Sequence, residues 1–261
     1  MPDWIAVLFL GLIEGLTEFL PVSSTGHLVI AEHWLRPRSP LFNVVIQCGA
    51  VLAVALVFTA RLRQFRRDWR EPATRDYLAR LAGAFLLTAV GGLVLKKLGL
   101  KLSADAVVVA VTTLAGGVLI LAVERWLSGR LLTGGITWPV ALSVGAAQLV
   151  AGALPGTSRS GATILVALAF GLSRPLAAEF SFLLGIPTLL AAGGYEIVSA
   201  FRHHQTGNED WAMVLLGMAV AGVTAFAVVK WLLRYVQTHT FSVFGWYRIA
   251  LGILILVLLR K

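Results

Sequence analysis

The chain is poor in charge and nearly devoid of cysteine. Of its 261 residues only 13% are Asp, Glu, Lys or Arg, while 58% are hydrophobic. The single cysteine, Cys48, lies inside an apolar run, so no internal disulfide can form and no cysteine cluster can hold a metal. A glycine-rich loop ending in Lys-Ser or Lys-Thr, the pattern that cradles nucleotide phosphates, is absent, which argues against coupling to ATP. Acidic residues are scarce, 13 against 22 basic ones, for a net charge of +9. In a soluble chain that excess would point to nucleic acid. Here the charges lie between apolar segments, so anionic lipid headgroups are the expected neighbours and nucleic acid is not. Met1 to Trp4 carries Asp3 and no basic cluster, so the first apolar run is expected to belong to the mature protein.

What the chain has in abundance is apolar length. Its mean hydropathy of +0.84 exceeds what one aqueous core can hide, because surface grows quickly with size. The solvent must be a bilayer, crossed by apolar helices of about 20 residues. Six stretches qualify: 42–60, 78–97, 105–124, 176–198, 211–233 and 246–259. The last is short, so it either begins earlier or crosses a thinned region. Eight Trp suit an interfacial aromatic belt. Two further apolar segments, 4–20 and 138–154, run into polar turns containing Pro21 and Pro155, and apolar residues resume at 28–35 and 162–172, too briefly to span. A helix, a break at depth and a half-length return describe a re-entrant hairpin, tolerated only inside protein or against a water-filled cavity.

The segment 61–80 holds Arg61, Arg63, Arg66, Arg67, Arg70, Arg75 and Arg80, so it is expected on the cytoplasmic side. The hairpin 4–35 then enters from the outer face. An odd number of crossings separates the hairpins, so the second enters from the opposite side; this scheme puts Lys96, Lys97 and Lys101 outside. An offset of 134 places Glu14 on Gln148, Leu20-Pro21 on Leu154-Pro155, and Ser24 on Ser158. The expected fold is therefore an all-α polytopic membrane protein of six spanning helices plus two re-entrant helical hairpins in inverted-topology repeats. The repeats cover about 1–130 and 135–261 of a single membrane domain, with functional groups meeting near the midplane. Gln47 and Ser181 match under the same offset and are expected to line the cavity.

Glu14 and Glu18 are four residues apart and share one helix face, with Gly11 and Gly15 on much the same side admitting a neighbouring helix. Carboxylates at such depth are costly and usually functional. They either pair with Arg159 or hold a hard divalent cation (Mg or Ca) and accept protons. The turn Ser23-Ser24-Thr25-Gly26-His27 offers hydroxyls, N–H groups and an imidazole, with His27 expected to open the returning half-helix. The second turn offers Ser158, Arg159, Ser160 and Thr163, a phosphate cradle built around a planar cation. Carboxylates attract a cation and the Arg attracts anions, and a metal-bridged pyrophosphate satisfies both.

At these residues the chain resembles the bacterial undecaprenyl-diphosphate phosphatase (bacitracin-resistance protein) family. Glu14-Gly-Leu-Thr-Glu18-Phe-Leu-Pro-Val-Ser-Ser-Thr-Gly-His27 is similar to the family's first signature and Pro155-Gly-Thr-Ser158-Arg159-Ser-Gly-Ala-Thr163 to its second. Phe42 to Gln47, Phe180 to Pro187 and His239 to Arg248 resemble further family segments, so the likeness runs nearly end to end. The resemblance implies a bacterial plasma-membrane enzyme that converts undecaprenyl diphosphate to the monophosphate with a divalent cation, at a site open to the outer face. It implies Glu14 and Glu18 as metal or acid/base carboxylates, Ser24 and His27 as rival nucleophiles, and Arg159 as phosphate holder with Ser158 and Thr163. Ser23, Thr25 and Ser160 complete the expected phosphate-binding set. A transporter or flippase of a polyprenyl phosphate lipid is the alternative, since inverted repeats with broken helices are a transporter architecture. The sequence leaves oligomeric state open, a homodimer included.

Overall fold

The computed structural model describes residues 2–35, 37–100, 105–203 and 209–259, so Lys101 lies outside the described residues. Among the described residues there are eleven helices and no strand, only an isolated bridge between Gly134 and Leu172. In chain order they are α1 (Asp3–Thr17), α2 (Ser24–Leu35), α3 (Pro40–Val57), α4 (Thr59–Arg67), α5 (Pro72–Lys97) and α6 (Ala106–Leu127). The second half holds α7 (Trp138–Ala153), α8 (Arg159–Ala169), α9 (Arg174–Arg202), α10 (Trp211–Tyr235) and α11 (Ser242–Leu259). Six of these, α3, α5, α6, α9, α10 and α11, are long and apolar enough to cross a membrane.

Each expected crossing is present, with shifted ends. The stretch 42–60 stops at Phe58, where the backbone leaves helical geometry (φ −90°, ψ 14°), and the arginine-rich α4 follows. Within α4 only Phe65 is buried, while Arg63, Arg66 and Arg67 are exposed. The short last stretch begins earlier than 246: α11 starts at Ser242 and runs 18 residues. Some helix starts follow cap chemistry. Ser39 and Ser173 each precede a proline in the first turn and accept the N–H of Phe42 and Leu176, and Asp210 accepts those of Ala212 and Met213.

Packing exchanges partners between the halves. α1 lies on α10 as α7 lies on α5, α6 pairs with α11, and α3 with α9. The expected role of Gly11 and Gly15 is realised: a Cβ on either would stand 2.7 Å from the Gly217 carbonyl or 2.5 Å from that of Ala221, both on α10. Gly145, offset by 134 from Gly11, meets the Ala84 carbonyl of α5 at 2.8 Å in the same way.

Ion pairs mark the two ends of the bundle. At one, Arg38 pairs with Asp3 at 2.6 Å and Lys96 with Glu196 at 3.3 Å. At the other, Arg61 pairs with Glu179 at 3.0 Å, and buried Glu124 accepts from Arg174 and from the Phe241 N–H. The α1–α2 hairpin starts and ends at the first of these. The α7–α8 hairpin starts and ends at the second, where the Gly134 N–H donates to the Gly171 carbonyl at 2.9 Å. Both turns therefore lie inside the bundle, facing each other.

Candidate active site

Each turn is set by a serine in an uncommon conformation. Ser23 (φ 74°) accepts the N–H of Gly26 at 3.2 Å, and Ser158 (φ 68°) accepts that of Gly161 at 3.2 Å. A positive φ outside glycine is rare and costs about 1–3 kcal/mol, typically kept where function requires it. These serines are equivalent in role, which corrects the pairing of Ser24 with Ser158. The second turn has one more residue after its proline, and Gly156 (φ 88°) absorbs it. A Cβ there would press on Thr112 Oγ1 at 2.3 Å and the Val109 carbonyl at 2.6 Å. Beyond the turns the correspondence shifts by one, so Ser24 and Arg159 are the first residues of their helices and stand in equivalent places. His27 therefore does not open α2; it sits in the first turn, three residues after Ser24.

Those two residues converge on one carboxylate. Ser24 Oγ donates to Glu18 Oε2 at 2.8 Å, and Arg159 Nη2 donates to Glu18 Oε1 at 3.4 Å, across 141 residues of sequence. The pairing of an acid with Arg159, set against a catalytic role above, exists for Glu18 and coexists with the hydroxyl contact. Arg159 is loosely held: Nη1 reaches the Ser181 carbonyl only at 3.5 Å, and its buried Nε has no partner among the described residues. The guanidinium lies 5.2 Å from the Phe19 ring centroid and abuts Gly185, where a Cβ would be 2.4 Å from Nη1. A buried cation with spare donors is a site for an anion.

Glu14, one turn before Glu18, is buried and its Oε2 has no partner among the described residues. Those residues hold no group of three or more His, Cys, Asp or Glu able to enclose a metal. An orphaned carboxylate oxygen beside a second carboxylate nevertheless fits a hard cation of the Mg type, which takes one or two carboxylates and completes its shell with water and phosphate oxygens.

His27 is held by both ring nitrogens: Nδ1 lies 2.7 Å from the Ser23 carbonyl and Nε2 2.6 Å from the Tyr247 hydroxyl. Ser160 and Thr163 are fully buried. The Ser160 hydroxyl donates to the Leu20 carbonyl at 3.0 Å, joining the two turns, and that of Thr163 donates to the Arg159 carbonyl at 2.8 Å and contacts the Ser181 hydroxyl. Ser181 is fully buried and touches the second turn through Arg159 and Thr163, whereas no described hydrogen bond ties Gln47 to either turn. Thr25, Ser158 and Ser24 keep partial exposure.

Sequence reasoning passed over Arg248 as a site residue. It is 1% exposed and donates to the carbonyls of Pro21, Gly156, Thr157, Thr112 and Thr113, clamping both turns to α6. Its signal was an arginine within the last apolar stretch, a position that calls for a polar partner at depth. Tyr247 and Gly185 carried no comparable signal.

Residues 7–254 match the family described as bacitracin resistance protein BacA. The chain is 50% identical over 255 residues to an undecaprenyl-diphosphatase of Rhizobium etli, covering 97% of this chain and 96% of the relative. It is 51% identical over 256 residues to that of Rhizobium leguminosarum bv. trifolii, with the same coverage. It is 48% identical over 258 residues to that of Xanthomonas axonopodis pv. citri, covering 98% and 97%. With a match across both turns and nearly the whole length, the chain belongs to the bacitracin resistance protein BacA family.

Proposed function

We propose that this protein is a membrane phosphatase that hydrolyses undecaprenyl diphosphate to undecaprenyl phosphate and inorganic phosphate, recycling the lipid carrier of cell-wall synthesis and lowering sensitivity to bacitracin. The observation that carries the reading is the Ser24 hydroxyl on a buried carboxylate whose other oxygen faces a guanidinium with unused donors. Hydroxyl beside base is the arrangement of an activated nucleophile. Spare guanidinium donors next to it suit the charge that spreads over a transferring phosphoryl group.

In this mechanism Ser24 Oγ attacks the terminal phosphorus as its proton passes to Glu18. The bond from that phosphorus to the bridging oxygen breaks, and the lipid monophosphate leaves. Arg159 meets the negative charge. Water then attacks the phosphoserine, Glu18 returns its proton to Ser24 Oγ, and the proton of the water is taken up by the hydrogen-bonded His27–Tyr247 pair beside the turn. The engagement of both His27 nitrogens favours Ser24 over His27 as nucleophile. A divalent cation held by Glu14 and Glu18 would neutralise the diphosphate and help orient it. Ser23 and Ser158 serve as caps, Ser160 and Thr163 as braces under the turns, and the half-buried Thr25 hydroxyl as a phosphate donor.

The two hairpins are read as re-entrant halves of inverted repeats, with α4 cytoplasmic in the bacterial plasma membrane and the α1–α2 hairpin opening to the outer face. The arginines of α4 and of 70–80 all lie at the bundle end away from that hairpin's mouth, which supports this orientation. The test is phosphate release from a polyprenyl diphosphate labelled in its terminal phosphate. Wild type should release label, Glu18→Gln should not, and quenched wild type should carry label on Ser24. Release by Ser24→Ala at the wild-type rate would replace Ser24 by a direct water attack.

A further inference from the structure

The contacts of His27 fix more than its position. A carbonyl only accepts, so the 2.7 Å contact to Ser23 requires the hydrogen on Nδ1. In the neutral ring Nε2 then carries the lone pair, and the Tyr247 hydroxyl 2.6 Å away must donate to it. The two rings are within 8° of parallel with centroids 5.5 Å apart, so the phenol is also fixed by contact with the imidazole. His27 has no remaining ring nitrogen with which to meet water or substrate. Tyr247 is 47% exposed and stands on the far side of that hydrogen bond.

We propose that Tyr247 is the proton relay of the second half-reaction, building on the Ser24–Glu18 reading. As water attacks the phosphoserine, one of its protons moves to the Tyr247 oxygen while the Tyr247 hydroxyl proton moves to His27 Nε2. The tyrosine ends as it began, His27 becomes an imidazolium, and the remaining hydroxide oxygen bonds to phosphorus as the bond to Ser24 Oγ breaks. The same hydrogen bond keeps His27 in its Nδ1–H tautomer and shields Nε2 from acting as a nucleophile. The first half-reaction does not involve Tyr247.

The experiment uses the full-length protein in detergent, with Tyr247→Phe, which keeps the ring and removes only the hydroxyl, and His27→Asn, which keeps a donor toward Ser23 and removes Nε2. Both should slow steady-state turnover about 100-fold or more, the contribution of a positioned acid or base, and both should accumulate labelled phosphoserine after rapid quench. The double variant should be no slower than His27→Asn, as expected of residues acting as one unit. Label accumulating in His27→Asn but not in Tyr247→Phe would overturn the relay while leaving the Ser24 reading intact. Label in neither, with release intact, would remove the Ser24 reading and the relay with it. A separate readout needs no turnover: diethyl pyrocarbonate reacts with a free imidazole lone pair, so mass analysis should show the His27 peptide modified severalfold faster in Tyr247→Phe than in wild type. Equal rates would overturn the capping of Nε2.

Discussion

Adding one methyl group at Gly185 should separate catalysis from stability. A Cβ at this position of α9 would lie 2.4 Å from Arg159 Nη1 and 2.9 Å from Cζ, where ordinary contact begins at 3.4 Å. The guanidinium must retreat by about 1 Å, and nothing else within 4 Å is among the three nearest atoms. Because the clashing group is the end of a flexible side chain, the fold loses little. The helix itself gains about 0.5–1 kcal/mol from replacing glycine. The thermal midpoint of Gly185→Ala should therefore equal or exceed that of wild type. Catalysis should respond differently, since a displacement of about 1 Å in a positioning group can cost on the order of 100-fold, or about 2.7 kcal/mol in the barrier. The assay is phosphate release from a polyprenyl diphosphate, with Gly194→Ala as the control, since a Cβ there has nothing within 4 Å. If Gly185→Ala keeps kcat/KM within about threefold of wild type, Arg159 is not the anion holder described above.

The remaining expectations address the other parts of the site. Glu18→Gln and Ser24→Ala should each lower kcat by about 10²–10⁴ with the double variant no worse, measured by steady-state phosphate release. Chelation of divalent cations should stop turnover, and Glu14→Gln should raise the cation concentration for half-maximal rate by about tenfold or more in a Mg or Ca titration. Arg248→Met would remove five hydrogen bonds; the Gly156 carbonyl keeps the Thr113 hydroxyl and those of Thr112 and Thr113 lie inside α6, so the carbonyls of Pro21 and Thr157 are the ones that lose their donor. At about 1–3 kcal/mol for each of those two carbonyls the loss is about 2–6 kcal/mol, so the thermal midpoint in detergent should fall clearly, with Arg248→Lys partly restoring it. Arg174→Met, far from the turns, leaves Glu124 buried with the Phe241 N–H but no cation; it should cost about 3–5 kcal/mol in denaturation while kcat stays near wild type.

Much of the fold was legible because a bilayer demands long apolar segments, and six of them stand out in the sequence. Boundaries were less so. Apolar pattern cannot see that Ser242 starts α11 four residues before the run at 246, or that Ser24 rather than His27 opens α2, because caps are polar and local. The Glu14–Glu18 stripe and Arg159 were legible as charges that have no business in lipid, and their convergence followed from matched hairpins. The offset of 134 misled by a single residue after each proline, since Gly156 lengthens one turn and sequence spacing carries no φ angle. Ser160 and Thr163 read as ligand donors because a hydroxyl's type says nothing of where its proton goes. Here both are spent on carbonyls. Tyr247 and Gly185 act through three-dimensional neighbours more than 20 residues away in sequence, which no motif records.

The clamp formed by Arg248 has a mechanical consequence. One rigid planar group touches the backbone of both broken segments, so neither can shift without dragging the other or losing a hydrogen bond in dry surroundings. Acidic and basic halves of the reaction centre must therefore breathe together. Amide exchange around residue 22 and around residue 157 should slow in concert when pyrophosphate enters, and Arg248→Lys should uncouple the two.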